Sequence, residues 1–183
     1  MLKLLKKVVQ VGEVTTRYPQ QRVEVAPGFR GKPVYDFSRC VACGACATAC
    51  PPNAITLQQD RERGVATWQL DYGRCIFCGR CEEVCPTGAI QLSDDFELAS
   101  LSRDDLFSTA EIQLMQCETC QQYFAPGREV QYVRARLGGA GLSENGRWLQ
   151  VLRQCPRCRR RRTARIIPHL AYGPRGGKGG KRA

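Results

Sequence analysis

Eight of the twelve cysteines fall in two short runs of the same spacing. CVACGACATACP places Cys40, Cys43, Cys46 and Cys50 ahead of Pro51, and CIFCGRCEEVCP places Cys75, Cys78, Cys81 and Cys85 ahead of Pro86, so both read C-x2-C-x2-C-x3-C-P. Thiolates are soft ligands that select iron–sulfur clusters, zinc and copper(I). Three of them separated by two residues each can wrap a loop around one face of an iron–sulfur cubane, with Gly44 and Gly79 relaxing the backbone where it passes near the sulfides. The fourth cysteine sits about one helical turn further on, so it points away from its own loop. The proline after it keeps that turn from continuing. Zinc usually takes two pairs of ligands, and a third cysteine at the same short interval has no role in such a site. The pattern therefore favours two [4Fe-4S] clusters over zinc or disulfides.

The spacing is similar to that of bacterial two-cluster ferredoxins, in which the fourth cysteine of each run ligates the other cluster. This similarity implies crossed sites. Cys40, Cys43, Cys46 and Cys85 are expected to hold one [4Fe-4S] cluster, and Cys75, Cys78, Cys81 and Cys50 the other. Ligands shared in this way tie the two halves together and fix the separation of the clusters, which suits relay of single electrons.

The other four cysteines form two C-x2-C pairs, CETC at 117–120 and CPRC at 155–158. Cys117, Cys120, Cys155 and Cys158 offer a tetrahedral four-thiolate shell, suited to one zinc or to a single rubredoxin-like iron. The stretch between them holds two helical candidates, REVQYVRARL and ENGRWLQVLRQ, but few apolar side chains, chiefly Tyr132, Val133, Leu137, Trp148, Leu149 and Leu152. A core that small depends on a metal for stability. Unligated redox thiols are the alternative.

These ligands must be carried by an α+β scaffold. The two cysteine runs are an internal repeat, with Cys40–Cys50, Pro51, Ala54, Ile55 and Leu57 answered 35 positions later by Cys75–Cys85, Pro86, Ala89, Ile90 and Leu92. This predicts a duplicated β-loop-helix-β unit, a bacterial-type two-[4Fe-4S] ferredoxin domain over 18–100. Between the runs, AITLQQDRERGVATWQLDYG alternates about an Arg-Gly turn and reads as a β-hairpin, with Trp68 as a packing residue. Ahead of them, 18–39 is rich in proline and glycine and reads as extended chain, either covering the domain or lying across a partner.

Residues 1–17 open with an amphipathic helix. Met1, Leu4, Leu5, Val8 and Val11 fall on one face, Lys3, Lys6, Lys7 and Gln10 on the other, and Gly12 ends it. The apolar stretch is short, is interrupted by Gln10 and lacks a small-residue cleavage site, which reads against export. Such a helix either packs on its own domain or docks on a membrane subunit or the lipid surface. Residues 101–160 read as a connector followed by the four-cysteine module; Ser102 with Asp105 is a weak capping signal, and a helix is expected to start there.

The net charge of +11 is concentrated at one end. From Arg157 onward there are ten Lys or Arg and no acid, which leaves 18 basic against 17 acidic residues in the rest of the chain. Residues 161–183 read as a basic, disordered tail. His169 is the single histidine, and a Rieske centre needs two. No apolar run approaches the ~18 residues that span a bilayer. No dinucleotide fingerprint and no nickel-ligand arrangement is present in the sequence, so nickel, molybdenum, flavin and nicotinamide would have to be bound elsewhere.

FRGKP at 29–33, the paired cluster runs and the following DDFELA resemble the two-[4Fe-4S] subunit of respiratory complex I and of related membrane-bound nickel–iron hydrogenases. Within that group, CIFCGRCEEVCPT and the added CETC and CPRC pairs are most similar to the ferredoxin-type subunits of formate hydrogenlyase and hydrogenase-4. The resemblance covers roughly 1–160 and leaves out the basic tail. It implies a non-catalytic electron-transfer subunit on the cytoplasmic face of the inner membrane, in peripheral contact with it. Its partners would include a hydrogenase small subunit and another iron–sulfur protein. A freely diffusing two-cluster ferredoxin would not need the N-terminal apolar face or the second metal module. A nucleic-acid-binding protein would use the basic tail but would not need two crossed clusters, and no aromatic residues interleave with the basic run.

Overall fold

The computed structural model describes residues 2–21, 23–141 and 146–171, with side chains described up to 165. Helix α1 (Leu2–Val11) comes first, followed by strand β1 (Pro33–Tyr35). The first cysteine run carries helix α2 (Ala45–Ala49), and the hairpin of β2 (Ile55–Asp60) and β3 (Val65–Asp71) follows. Helix α3 (Arg80–Val84) belongs to the second run and leads into β4 (Ile90–Leu92). A short 3-10 helix (Arg103–Leu106), β5 (Phe107–Gln116) and β6 (Tyr123–Pro126) precede α4 (Gly127–Gly139), α5 (Arg147–Leu152) and α6 (Pro156–Ala171).

Two antiparallel sheets organise the chain. In the smaller, β1 pairs with β4 so that Tyr35 faces Ile90 and Pro33 faces Leu92. The larger runs β2-β3-β5-β6. Period-two alternation explains β3, whose residues Ala66, Trp68 and Leu70 point into the core and are 0%, 1% and 0% exposed. Trp68 and Leu70 share a core cluster with Ile55, Ile90 and Ile112, with Tyr35 and six of the cluster-run cysteines in the same packing. The hairpin turn is fixed by Asp60, whose Oδ1 accepts from the N–H groups of Glu62 at 3.0 Å and Arg63 at 2.9 Å. Gly64 closes the turn at φ +72°, in the left-handed region that favours glycine.

The extended segment before β1 is tied to the chain after β4. Gly31 N–H donates to the Ser93 carbonyl at 2.8 Å and Lys32 N–H to the Asp95 carbonyl at 2.7 Å, and the Lys32 ammonium pairs with the Asp95 carboxylate at 2.6 Å. FRGKP and DDFELA are therefore two sides of one structural joint, and residues 31–35 cover the domain.

Two expectations change. The helix expected after Ser102 is a single 3-10 turn, capped by the Ser102 hydroxyl accepting from Asp104 N–H at 3.2 Å, and then a ten-residue strand. The side chains of Ala110, Ile112 and Leu114 alternate inward along β5, and the open edge of β3 supplies its backbone partners from Asp71 to Val65. Pairing of β5 to β3 puts the connector in the same sheet as the cluster-run hairpin. The tail expected from 161 is helical as far as Ala171, because α6 starts at Pro156 and runs on through the arginines. Arginine is a good helix former, and proline is favoured at a first helical position. Residues 172–183 lie outside the described residues, as does the side chain of His169.

Candidate metal centres

The two cysteine runs fold alike, position by position. Ala42 and Phe77 adopt φ of 58° and 53°, Gly44 and Gly79 of 76° and 80°, and Asn53 and Gly88 of 51° and 61°. A left-handed backbone costs a non-glycine residue roughly 1–2 kcal/mol, and such strain collects at functional sites. Here it turns backbone donors onto sulfur. Ala42 N–H donates to Cys40 Sγ at 3.3 Å and Phe77 N–H to Cys75 Sγ at 3.4 Å. After each short helix, Ala54 N–H and Ala89 N–H donate to Cys50 Sγ and Cys85 Sγ, both at 3.2 Å.

The fourth cysteine of each run leaves its helix in extended conformation, Cys50 at φ −76°, ψ 110° and Cys85 at φ −75°, ψ 112°. That step carries the side chain across to the other run. One cavity is lined by Cys75, Cys78, Cys81 and, from the first run, Cys50; the other by Cys40, Cys43, Cys46 and, from the second run, Cys85. Each cavity thus presents four thiols and backbone donors to two of them, the donor set a [4Fe-4S] cubane requires.

The two cavities differ in their other walls. Around Cys50 and the second-run thiols the lining is largely Pro33, Pro52, Ile55, Ile76, Phe77 and Leu92. Around Cys85 and the first-run thiols it includes Tyr35, Trp68 and Thr87. The Tyr35 and Trp68 rings stack 3.9 Å apart at 10°. Burial pushes the thiols of Cys46, Cys75 and Cys81 up, the last to about 11, and Trp68 partly offsets this at Cys46. At Cys85 burial also disfavours the thiolate, but Thr87 and the N–H groups of Ala89 and Ile90 outweigh it and hold the thiol below its ordinary value. Burial, then the Cys40 thiol, raises the Tyr35 phenol, which stays protonated. An iron centre would override the thiol values, since coordinated thiols are deprotonated outright.

Arginines hold both loops from outside. Arg30 Nη1 donates to the Cys78 carbonyl at 3.0 Å, and Arg128 Nη1, at the start of α4, donates to the Phe37 carbonyl at 2.6 Å and the Cys40 carbonyl at 3.4 Å. Spacing in the cysteine runs gave no sign of Tyr35, Arg30 or Arg128. All three come from outside those runs and are brought in by strand pairing or by α4.

Cys117, Cys120, Cys155 and Cys158 converge as expected, with all four Sγ atoms within 4.8 Å of one another. Cys120 and Cys155 are 3.7 Å apart. The knuckle at 117–122 turns at Gln121, φ 59°, and closes through Cys117 N–H to the Gln122 carbonyl at 2.9 Å. It is laced to the second pair by Arg153 with Glu118 at 2.9 Å and Gln154 with Thr119 at 3.2 Å. Cys155 N–H donates to Cys117 Sγ at 3.2 Å, and Cys158 N–H, in the first turn of α6, to Cys155 Sγ at 3.5 Å. Burial works against ionisation at Cys117 and Cys155, yet these and neighbouring donors hold both thiols down, Cys117 to about 6. Burial and the three surrounding thiols drive Cys158 up to about 12. One added cation would reconcile all four as thiolates.

Residues 39–89 match the 4Fe-4S dicluster domain. Formate hydrogenlyase subunit 6 of Escherichia coli (strain K12) is 40% identical over 162 residues, covering 88% of this chain and 90% of the relative. The chain belongs to the formate hydrogenlyase subunit 6 family. NADH-quinone oxidoreductase subunit I 1 of Geobacter sulfurreducens is 38% identical over 118 residues, 60% of this chain and 89% of the relative. A chain of the membrane-bound sulfane sulfur reductase, an archaeal respiratory membrane complex, aligns at 30% identity and a TM-score of 0.40 over 56% of this chain and 58% of that one. The match to formate hydrogenlyase subunit 6 covers too much of the chain to miss either cysteine set, so the four-cysteine group lies inside the region of family likeness along with the cluster runs.

Proposed function

We propose that this chain relays single electrons through two [4Fe-4S] clusters within a membrane-bound assembly of the formate hydrogenlyase, hydrogenase-4 or complex I kind. The observation that carries the proposal is the exchange of Cys50 and Cys85 between the two cavities. Cys40, Cys43, Cys46 and Cys85 would ligate one cluster and Cys75, Cys78, Cys81 and Cys50 the other. Bound there, the clusters would supply one-electron chemistry at two closely tied sites. The chain's own residues hold the thiolates in place, donate hydrogen bonds to sulfur and keep one wall of each site dry. A hydrogenase small subunit and a second iron–sulfur protein are the partners on either side of the relay, and nothing in the cavities provides a substrate site.

Helix α1 serves attachment. Its apolar residues Leu2, Leu4, Leu5, Val8, Val9 and Val11 are all exposed, none of its residues is buried, and no helix among the described residues is long and apolar enough to cross a membrane. Docking of this face on the membrane arm, at the cytoplasmic side of the inner membrane, would bury it. The four-cysteine group would bind one zinc, or a single iron, and hold the C-terminal module together. On this reading 1–17 docks, 18–100 is a duplicated ferredoxin domain, 101–160 carries the metal module, and the basic residues beyond complete the chain.

Purification of the native complex from solubilised membranes tests the assignment. The chain should copurify with a hydrogenase-type catalytic subunit and carry eight irons, four per cluster, with one further zinc or iron. Recovery only as a free soluble protein, or with fewer than two clusters, would overturn it.

A further inference from the structure

Tyr35 and Trp68 place two polar hydrogens in an otherwise apolar interior. The Tyr35 hydroxyl oxygen and Trp68 Nε1 are both buried and neither is paired with a protein nitrogen or oxygen; the polar groups they face are the Cys40 and Cys46 thiols. Buried polar groups are ordinarily paired, and an orphan costs about 1–3 kcal/mol, so each calls for an explanation. Both side chains line the cavity of Cys40, Cys43, Cys46 and Cys85. Their position is over-determined. Tyr35 is held by β1 opposite Ile90, stacks on Trp68 and packs edge-on against Phe37 at 4.3 Å. Trp68 is 1% exposed at the centre of β3. A purely apolar wall could be built at both positions from phenylalanine, and the second cavity, walled by Pro33, Ile55 and Leu92, has no buried side-chain donor of this kind: its lining includes Arg80, but that guanidinium is exposed and paired with Glu83.

Resting on the ligand assignment proposed above, we infer that Tyr35 O–H and Trp68 Nε1–H are sulfur-directed donors that make the cluster of Cys40, Cys43, Cys46 and Cys85 the more easily reduced of the two. Reduction adds one electron to the core, from the 2+ to the 1+ level, with no bond made or broken and no proton transferred. The extra negative charge is spread over sulfide and thiolate sulfur. Donors aimed at sulfur stabilise the reduced level more than the oxidised one, and so raise the potential. With donors at one site and an apolar wall at the other, the electron would rest on the first-run side of the pair. Tyr35 and Trp68 act as positioning and tuning residues, not as carriers of the electron.

The test is an EPR-monitored redox titration of the full chain carrying both clusters, with dithionite as the one-electron reductant. Comparison of Cys43→Ser with Cys78→Ser assigns each signal to its site. In the unaltered protein the signal changed by Cys43→Ser should have the higher midpoint. Tyr35→Phe, which keeps the ring and its stacking, should lower that midpoint alone, and Trp68→Phe should do the same. Pulsed EPR should find an exchangeable proton coupled to that reduced cluster and lost in Tyr35→Phe. Iron content distinguishes the failures: eight irons with both midpoints unmoved, or moved together, overturns the inference. Loss of four irons from Cys85→Ala with the signal assigned by Cys78→Ser removed, and the one assigned by Cys43→Ser spared, overturns the ligand assignment itself.

Discussion

Arg128 reaches from the first turn of α4 to the carbonyl of Phe37 at 2.6 Å, joining the C-terminal module to the loop that opens the first cysteine run. A second bond from the same Nη1 reaches the Cys40 carbonyl at 3.4 Å. The four-cysteine module is thereby bonded to the first-run loop as well as joined to the same sheet through the β3-β5 pairing. Its presence next to an iron–sulfur protein then has a mechanical sense: it buttresses the first-run loop.

Arg128→Ala should cost little global stability, about 0.5–1.5 kcal/mol for the charged donor at an exposed site. Its effect should be local. Amide hydrogen exchange across 37–43 should quicken in the full chain while exchange across 72–78, held by Arg30 on the Cys78 carbonyl, stays as it was. Equal protection in both loops after the substitution would show that Arg128 bears no load.

The hairpin turn offers a steric test. A Cβ on Gly64 would come within 2.6 Å of the Tyr123 ring, and Gly64 sits at φ +72°. Gly64→Ala should destabilise the protein by about 1–3 kcal/mol through overpacking and backbone strain together. Gly64→Ala with Tyr123→Ala relieves only the first of these, so chemical denaturation should recover part of the loss and no more. Full recovery would remove the role assigned to the left-handed turn.

The local fold of the cysteine runs was legible in the sequence because residue spacing is a local property: C-x2-C-x2-C-x3-C accompanies the loop, the short helix and the extended exit of Cys50 and Cys85 in both runs. The hairpin about Gly64 was legible for the same reason. β5 was not, because Leu106, Ile112 and Leu114 fit a helical stripe in part, and only the free edge of β3 selects the period-two reading through Ala110. Nor was α6 legible as a helix. A run of arginines reads as solvated tail until Pro156 and the thiols of Cys155 and Cys158 anchor its first turn. Tyr35 and Trp68 acquire their meaning from stacking across two sheets, a long-range relation that neither residue announces on its own.

Crossed ligation predicts crossed damage. Cys50→Ala should impair the cluster held mainly by residues 75–81, and Cys85→Ala the one held by 40–46, with EPR of the reduced variants as the readout. Each variant losing the cluster of its own run would contradict the cavity linings.

Attachment through α1 can be checked by fractionation. Burying each of Leu4, Leu5, Val8 and Val11 against a partner is worth about 1.5–3 kcal/mol, so charge on that face should be decisive. Leu5→Asp with Val8→Asp should move the protein from the membrane to the soluble fraction with both cluster signals intact. Unchanged membrane association would place the attachment elsewhere.

The C-terminal module has a core that consists largely of its cysteines. Its buried cluster is Cys117, Phe124, Cys155 and Cys158, with Met115, Cys120 and Ala125 packed around them, so three of the four members of that cluster are thiols. Without a cation these thiols face one another within 4.8 Å and cannot all ionise, while with one they form a closed shell whose binding energy is folding energy. Cys117→Ser with Cys155→Ser should therefore abolish binding of the extra metal, zinc or iron, and render the chain beyond about 117 sensitive to protease. β5 should outlast that loss, because its backbone partners on β3 belong to the cluster-run hairpin. Both cluster EPR signals should survive, with only the loop at 37–43 loosened by release of Arg128. A variant that stayed protease-resistant to α6 yet stopped passing electrons would make the four-thiolate site a redox centre instead of a staple.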